Sequence, residues 1–314
     1  MLLYLDDSLA EHDTGKHPEC PERIRLLNGL LRERGWESRA NCPKWEAASR
    51  EQLLTVHKAA YVEQLKTWSA AGAGRIENDT VVSRGSWDAA LRAAGAAIDA
   101  TRRVLACEGP STERRAFCSI RPPGHHALPT GAMGFCLLNN VAIAAHAALA
   151  AGAERVLIVD WDVHHGNGTQ DAFYEDGRVG FFSIHRSPFY PGTGAKSETG
   201  SGRALGWIRN EPVPADIMTR EFTDRFTRGL EDMLAKTKPD LVLLSAGFDA
   251  HRADPVGGLC LMEEDFLALT QLVVQAAEAH AHGRIVSLLE GGYHLDHMPT
   301  SVAAHLEGLS PPPL

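Results

Sequence analysis

Apolar residues in this chain come in short unbroken runs separated by longer stretches of helical period. Five runs stand out: Ala116–Ile120, Val156–Val159, Val179–Ile184, Leu241–Ser245 and Ile285–Leu289. Short apolar runs without polar alternation are what strands covered on both faces require. Leu2–Leu5 predicts a further strand at the start. Helical spacing predicts helices over Ile24–Arg34, Trp87–Ala106 with Ser86 as its N-cap, Leu137–Ala151, Thr219–Lys236 and Glu263–His282. Ser49–Trp68 reads as helical with a break near His57, whereas Ala70–Gly85 and Arg186–Asp216 are Gly-rich loops. Strands alternating with helices predict an α/β fold, a mostly parallel sheet with helices on both faces. No repeat, linker or charge block interrupts the chain, so residues 1–314 are expected to form one domain.

Each of the five buried runs ends in chemically loaded residues. The sequences are RPPGHH (Arg121–His126), DWDVHHGNG (Asp160–Gly168), SIH (Ser183–His185), AGFDAH (Ala246–His251) and EGGYH (Glu290–His294). In a parallel sheet these ends share one edge, where ligands of open α/β proteins bind. Alternation along an extended segment puts Asp160, Asp162 and His164 on one face. With Asp249 they offer a divalent ion oxygen and nitrogen donors and leave a position open for chemistry, as a catalytic zinc site does. The same donors suit Fe(II), Mn or Co. The alternative, a salt-bridged cluster without a cation, would bury like charges at a cost. A turn at Gly124 would aim His125 and His126 at a metal-activated water that needs a general base and later a general acid. Asp160 is the expected partner of one imidazole. Tyr293, after two glycines, is placed to hydrogen-bond a developing oxyanion.

Bulk properties narrow the partners. A formal charge of −9 argues against nucleic acid or anionic membrane as a partner. No apolar stretch is long enough to span a bilayer, and the N-terminus carries acidic residues where a signal peptide carries basic ones. Six scattered cysteines (20, 42, 107, 118, 136 and 260) form no CxxC pair. Their sparseness predicts a reduced, cytoplasmic protein and argues against thiolate zinc binding.

Taken together the motifs resemble the histone deacetylase superfamily, the arginase-like deacetylases that include acetylpolyamine amidohydrolases. RPPGHH, GFCLLNN (Gly134–Asn140), DWDVHHGNGTQDAF (Asp160–Phe173), PFYPGTG (Phe189–Gly194), SAGFDAHRADPVGG (Ser245–Gly258) and LEGGY (Leu289–Tyr293) match in order and spacing from His17 onward. The resemblance implies an open parallel eight-stranded sheet and hydrolysis of an acetyl amide. It implies that Asp162, His164 and Asp249 hold Zn2+, that His126 is general base and acid beside His125, and that Tyr293 polarises the carbonyl. Gly134 and Phe135 would line the acyl-lysine channel, with His185 or Phe189 as the second wall. A structural K+ would take Asp160, the carbonyls of Asp162, His164 and Ile184, and Ser183 Oγ; a second monovalent site would involve Phe173 and Val179. The partner of the second histidine is Asn167 instead of the aspartate of class I enzymes, which makes the chain resemble class II enzymes and their bacterial relatives. An amide supplies no negative charge, so that imidazole is expected to be less basic. Where class II-type polyamine deacetylases carry an acidic gatekeeper stands Val256, while Glu77 and Asp79 offer rim charge from the Ala70–Gly85 loop, Asp79 matching the family's rim aspartate. The expected substrate is thus an acetyl-lysine or an acetylated polyamine. A non-catalytic acyl-lysine module would have lost Tyr293 or a histidine, and arginase-type chemistry needs a two-metal ligand set.

Overall fold

The computed structural model describes residues 1–310. In chain order the strands are β1 (Leu2–Leu5), β2 (Gly74–Arg75), β3 (Val81–Val82), β4 (Arg115–Ser119), β5 (Val156–Asp160), β6 (Val179–Arg186), β7 (Ile208–Val213), β8 (Leu241–Ala246) and β9 (Ile285–Leu289). The helices are α1 (Glu22–Glu33), α2 (Trp36–Arg39), α3 (Arg50–Leu53), α4 (Ala59–Ala71), α5 (Ser86–Ala106), α6 (Asn140–Ala150), α7 (Asn167–Phe173), α8 (Thr219–Thr237), α9 (Glu263–His280) and α10 (His297–Leu309).

Seven strands form one sheet in the order β1-β4-β9-β8-β5-β6-β7, every pair parallel, and β2-β3 is a separate antiparallel ribbon. The main sheet therefore has seven strands among the described residues, against the eight implied by the resemblance. All residues of β4, β5, β8 and β9 are buried, as their unbroken apolar runs require. From β5 the chain steps outward to β6 and β7, then returns past β5 to β8 and β9. Right-handed crossovers put helices of the two directions on opposite faces. Accordingly α5 packs on α6, while α8, α9, α10 and α1 pack in succession. The reversal opens a crevice between the C-terminal ends of β5 and β8.

Three local expectations change. The segment 186–216 is not wholly irregular: its IRNEPV stretch is β7, an edge strand, which tolerates Pro212. The helix expected from Leu137 begins at Asn140, because the Asn139 side chain caps it by accepting from Ala142 N at 3.0 Å. Ser86 lies inside α5 rather than capping it; its hydroxyl bonds Ser83 N (2.7 Å) and His12 Nδ1 (2.7 Å). Helix α10, with Pro299 in its first turn where backbone N–H groups have no helical partner, was not foreseen.

Candidate active site

The loops after β5 and β8 bring Asp162, His164 and Asp249 together, with one donor atom of each within 4.8 Å of the others. Asp162 Oδ1 accepts from His164 N (3.0 Å) and lies 3.0 Å from His164 Nδ1, while Oδ2 accepts from Gly291 N (2.8 Å). Asp249 Oδ1 accepts from Val163 N at 2.9 Å. Its Oδ2, 3.0 Å from His164 Nδ1, has no well-aligned hydrogen-bond partner although fully buried. A Cβ at Gly291 would stand 2.3 Å from Asp249 Oδ2 and 2.5 Å from Asp162 Oδ2, so only glycine lets this backbone approach. Burial alone would lower the His164 imidazole, yet the two carboxylates raise it to about 10. Burial and neighbouring Asp162 push Asp249 up to about 7. Two buried carboxylates on one imidazole, with an orphaned oxygen between them, fit a divalent cation with O/N/O ligation.

His125 and His126 stand side by side, ring centroids 4.0 Å apart. Glu290, wholly buried, fixes their loop: Oε2 accepts from Gly124 N (2.6 Å) and His125 N (3.1 Å), and Oε1 from Ser245 Oγ (3.2 Å). His125 Nδ1 lies 3.0 Å from Asp160 Oδ2 and Nε2 3.8 Å from Asp162 Oδ1. His126 Nδ1 faces Asn167 Oδ1 at 2.7 Å. An amide oxygen only accepts, so the His126 proton sits on Nδ1 and Nε2 keeps its lone pair. Burial opposes charge on both rings, but Asp162 and Asp160 raise His125 to about 10, whereas burial, His125 and His164 hold His126 well below the usual imidazole range. The environment splits the pair into a charged and a neutral imidazole.

Tyr293 is held by backbone and ring. Asp254 Oδ2 accepts from Tyr293 N (2.7 Å) and His294 N (3.2 Å), while Oδ1 accepts from Val256 N (2.9 Å) and Gly257 N (3.0 Å). The guanidinium of Arg23 lies 5.0 Å from the Tyr293 ring centroid and donates to the carbonyls of Glu290 and Gly292, both at 2.6 Å. Burial, Asp249 and Asp162 raise the phenol well above its ordinary range, keeping it protonated.

Aromatic side chains form a wall beside His126, His164 and Tyr293. Phe135, at φ 69° after Gly134 at φ 54°, meets Tyr293 edge-on at 5.5 Å. Phe189 stacks on His164 at 5.1 Å, and Tyr190 meets His126 edge-on at 5.2 Å. Tyr190 escaped the sequence reading; its place beside Phe189 before Pro191 was the available signal. His185 is not part of this wall. It is 1% exposed, with its nitrogens 2.9 Å from Ser183 Oγ and 3.1 Å from the Gly194 carbonyl. Next to Phe135, the Asp79 carboxylate accepts from Thr80 Oγ1 (3.0 Å), which accepts from Phe135 N (3.1 Å). Burial and adjacent Glu77 raise Asp79. Val256 is half-buried on the Asp254 turn.

The residues assigned to K+ cluster at the ends of β5 and β6, where register pairs Asp160 with Ser183. Asp160 and Ser183 are buried oxygen donors, the chemistry a hard cation needs. Phe173 and Val179 are core residues, and Trp207–Pro214 contains β7. The positioning roles of Glu290, Arg23 and Asp254 are not legible in the sequence because Gly124, Gly292 and Tyr293, which they respectively hold, lie far from them along the chain.

A family model described as Histone deacetylase domain matches residues 17–309. The chain is 40% identical over 299 residues to a protein of Archaeoglobus fulgidus named "Probable deacetylase", covering 94% of this chain and 81% of that protein. It is 40% identical over 296 residues to the histone deacetylase-like amidohydrolase of Pseudomonas aeruginosa, covering 94% of this chain and 77% of that one. Among solved structures, the HD domain of HDA15 superposes with a TM-score of 0.91 at 34% identity, over 98% of this chain and 88% of that chain. Fold, motifs and relatives agree, and the chain belongs to the histone deacetylase family.

Proposed function

We propose that the protein is a zinc-dependent deacetylase that hydrolyses the acetyl or other short acyl amide of a lysine-like amine. The observation that carries this reading is the convergence of a buried Asp162–His164–Asp249 donor set with a neutral His126 and a protonated Tyr293. Asp162, His164 and Asp249 would hold a divalent ion, which would supply Lewis acidity toward the acyl carbonyl and the attacking water. His126 Nε2 takes the water proton, since its Nδ1 proton is committed to Asn167, and returns it to the departing amine. His125, kept cationic by Asp160, stabilises the negative charge gathering between the two rings and the acyl carbon. The Tyr293 hydroxyl donates to the developing oxyanion from a backbone fixed by Asp254. Phe135, Phe189 and Tyr190 guide an extended aliphatic chain and exclude water. Asp160 and Ser183 at the β5–β6 ends would help hold a K+ ion, whose charge would fix the Asp160 loop.

The relatives' names, a deacetylase and an amidohydrolase, support amide hydrolysis. A protein acyl-lysine fits the neutral Val256 at the rim. The Glu77–Asp79 carboxylates beside Tyr190 and Gly134 favour a second reading, a small cationic acetylpolyamine. The test compares kcat/KM of zinc-loaded protein on an acetyl-lysine peptide with that on N-acetylated spermidine, putrescine and cadaverine, each with a chelator control. Preference for the peptide supports the lysine reading; preference for the polyamines by more than about tenfold, roughly 1.4 kcal/mol, assigns the rim carboxylates to selection. In the same assay Tyr293→Phe is expected to lower kcat by about 10²-fold or more. Chelator-insensitive hydrolysis, or none, overturns the proposal.

A further inference from the structure

Outside the catalytic centre, histidines and one glutamate gather where the loop after β8 meets the N-terminal ends of α9 and α10. His251 is buried, Glu263 opens α9 and His297 opens α10. His251 Nε2 lies 3.4 Å from Glu263 Oε2, and His297 Nδ1 lies 3.0 Å from Glu263 Oε1. One donor atom from each of the three falls within 4.8 Å of the others. The His251 and His297 rings stack at 4.5 Å, and His294 stands 4.5 Å from His297 as the nearest further imidazole. The proposed amide hydrolysis uses none of these side chains.

We infer that His251, Glu263 and His297 form a second site for a divalent borderline metal such as Zn2+ or Ni2+. Two imidazoles and a carboxylate are the donors such ions choose. Tetrahedral bonds of roughly 2.0–2.1 Å put neighbouring donor atoms about 3.4 Å apart, close to the 3.4 and 3.0 Å that separate His251 and His297 from the two oxygens of Glu263. His297, with 39% of its side chain exposed, gives the ion a path in, and the fourth position stays open to water. Asp254 adds its negative charge near His251, opposing the positive ends of the two helices.

Proton positions decide what binding costs. His251 Nδ1 accepts from Ala253 N at 3.1 Å, so its proton lies on Nε2 and points at Glu263. The His297 proton on Nδ1 likewise points at Glu263. Metal binding displaces the proton that each ring directs at Glu263; at His251 that proton moves to Nδ1 and sacrifices the Ala253 hydrogen bond. The occupied site thus ties α9 and α10 to the loop between Asp249 and Asp254.

The test is metal content after equilibrium dialysis of the full-length protein against buffered Zn2+. Wild type is expected to hold two equivalents, Glu263→Gln and His297→Ala one each, and Asp162→Ala one. Thermal melts check that each variant is folded; Glu263→Gln keeps the shape and size of the residue should His297→Ala unfold. A wild type holding one equivalent, or two equivalents retained in folded Glu263→Gln and His297→Ala, overturns the second site. If Asp162→Ala keeps both while His297→Ala loses one, the second site stands and the catalytic metal assignment falls.

Discussion

Asn167 sets the working range of His126. It offers an amide oxygen at 2.7 Å where a carboxylate would stabilise the imidazolium. With burial, His125 and His164 all opposing a second charge, His126 is neutral far below neutral pH. In the proposed mechanism the neutral ring is the base, so kcat/KM should fall on the acid side only where His126 gains its proton. Asn167→Asp places a negative charge against Nδ1–H, raises that pKa, and should move the acidic limb of the pH–rate profile to higher pH by about one unit or more. Asn167→Ala removes the acceptor, frees the ring to turn, and should lower kcat at every pH. An acidic limb unmoved by Asn167→Asp would show that another group governs it.

At the scale of elements, a buried carboxylate joins the N-terminal segment to the catalytic loops. Glu19 Oε1 lies 2.6 Å from Arg121 Nε and 3.0 Å from Arg23 Nη1, with all three side chains buried. Arg121 also donates to the His12 carbonyl, and Arg23 holds the loop that carries Tyr293. Burial alone would raise Glu19, but the guanidinium of Arg121 and His12 hold it well below the usual carboxylate range. A depressed acid contributes stability that is full above the ordinary carboxylate pKa and lost as pH falls through the folded one. Glu19→Ala leaves two buried cations without their shared partner and should lower unfolding stability by about 3–5 kcal/mol, read from the denaturant midpoint. This clamp was invisible in the sequence because Arg23 and Glu290 are 267 residues apart. The motif ends were legible for the opposite reason: the apolar runs of β4, β5, β6, β8 and β9 locate themselves, and each delivers its ionisable residues to the same edge. β7 was hidden by its polar, Pro-containing edge position, and α10 by the proline in its first turn. The sequence left His185 and Phe189 as equal candidates for a second aromatic because it does not show that His185 is buried within β6, whereas the chain after β6 turns Phe189 and Tyr190 toward the histidines.

For the whole molecule, the reversal of strand order between β5 and β8 concentrates charge in the core. Asp160, Asp162, Asp249 and Glu290 are all fully buried near one another, balanced by His125 and His164. Like carboxylates drawn from three loops repel unless a cation joins them, so the bound metal should support the fold as well as the chemistry. A ligand that binds only the folded state adds stability by mass action, about 2.7 kcal/mol at one hundred times its Kd. In a chain of this size that corresponds to a rise in Tm of several degrees. The His297→Ala protein, which lacks a ligand of the inferred second site, isolates the effect of an ion at Asp162, His164 and Asp249. Its Tm should fall on treatment with a chelator and recover with added Zn2+, whereas His297→Ala combined with Asp162→Ala should respond to neither. An equal response in the double variant would mean that the stabilising ion is bound elsewhere, and that the five strand ends are held together by protein contacts alone.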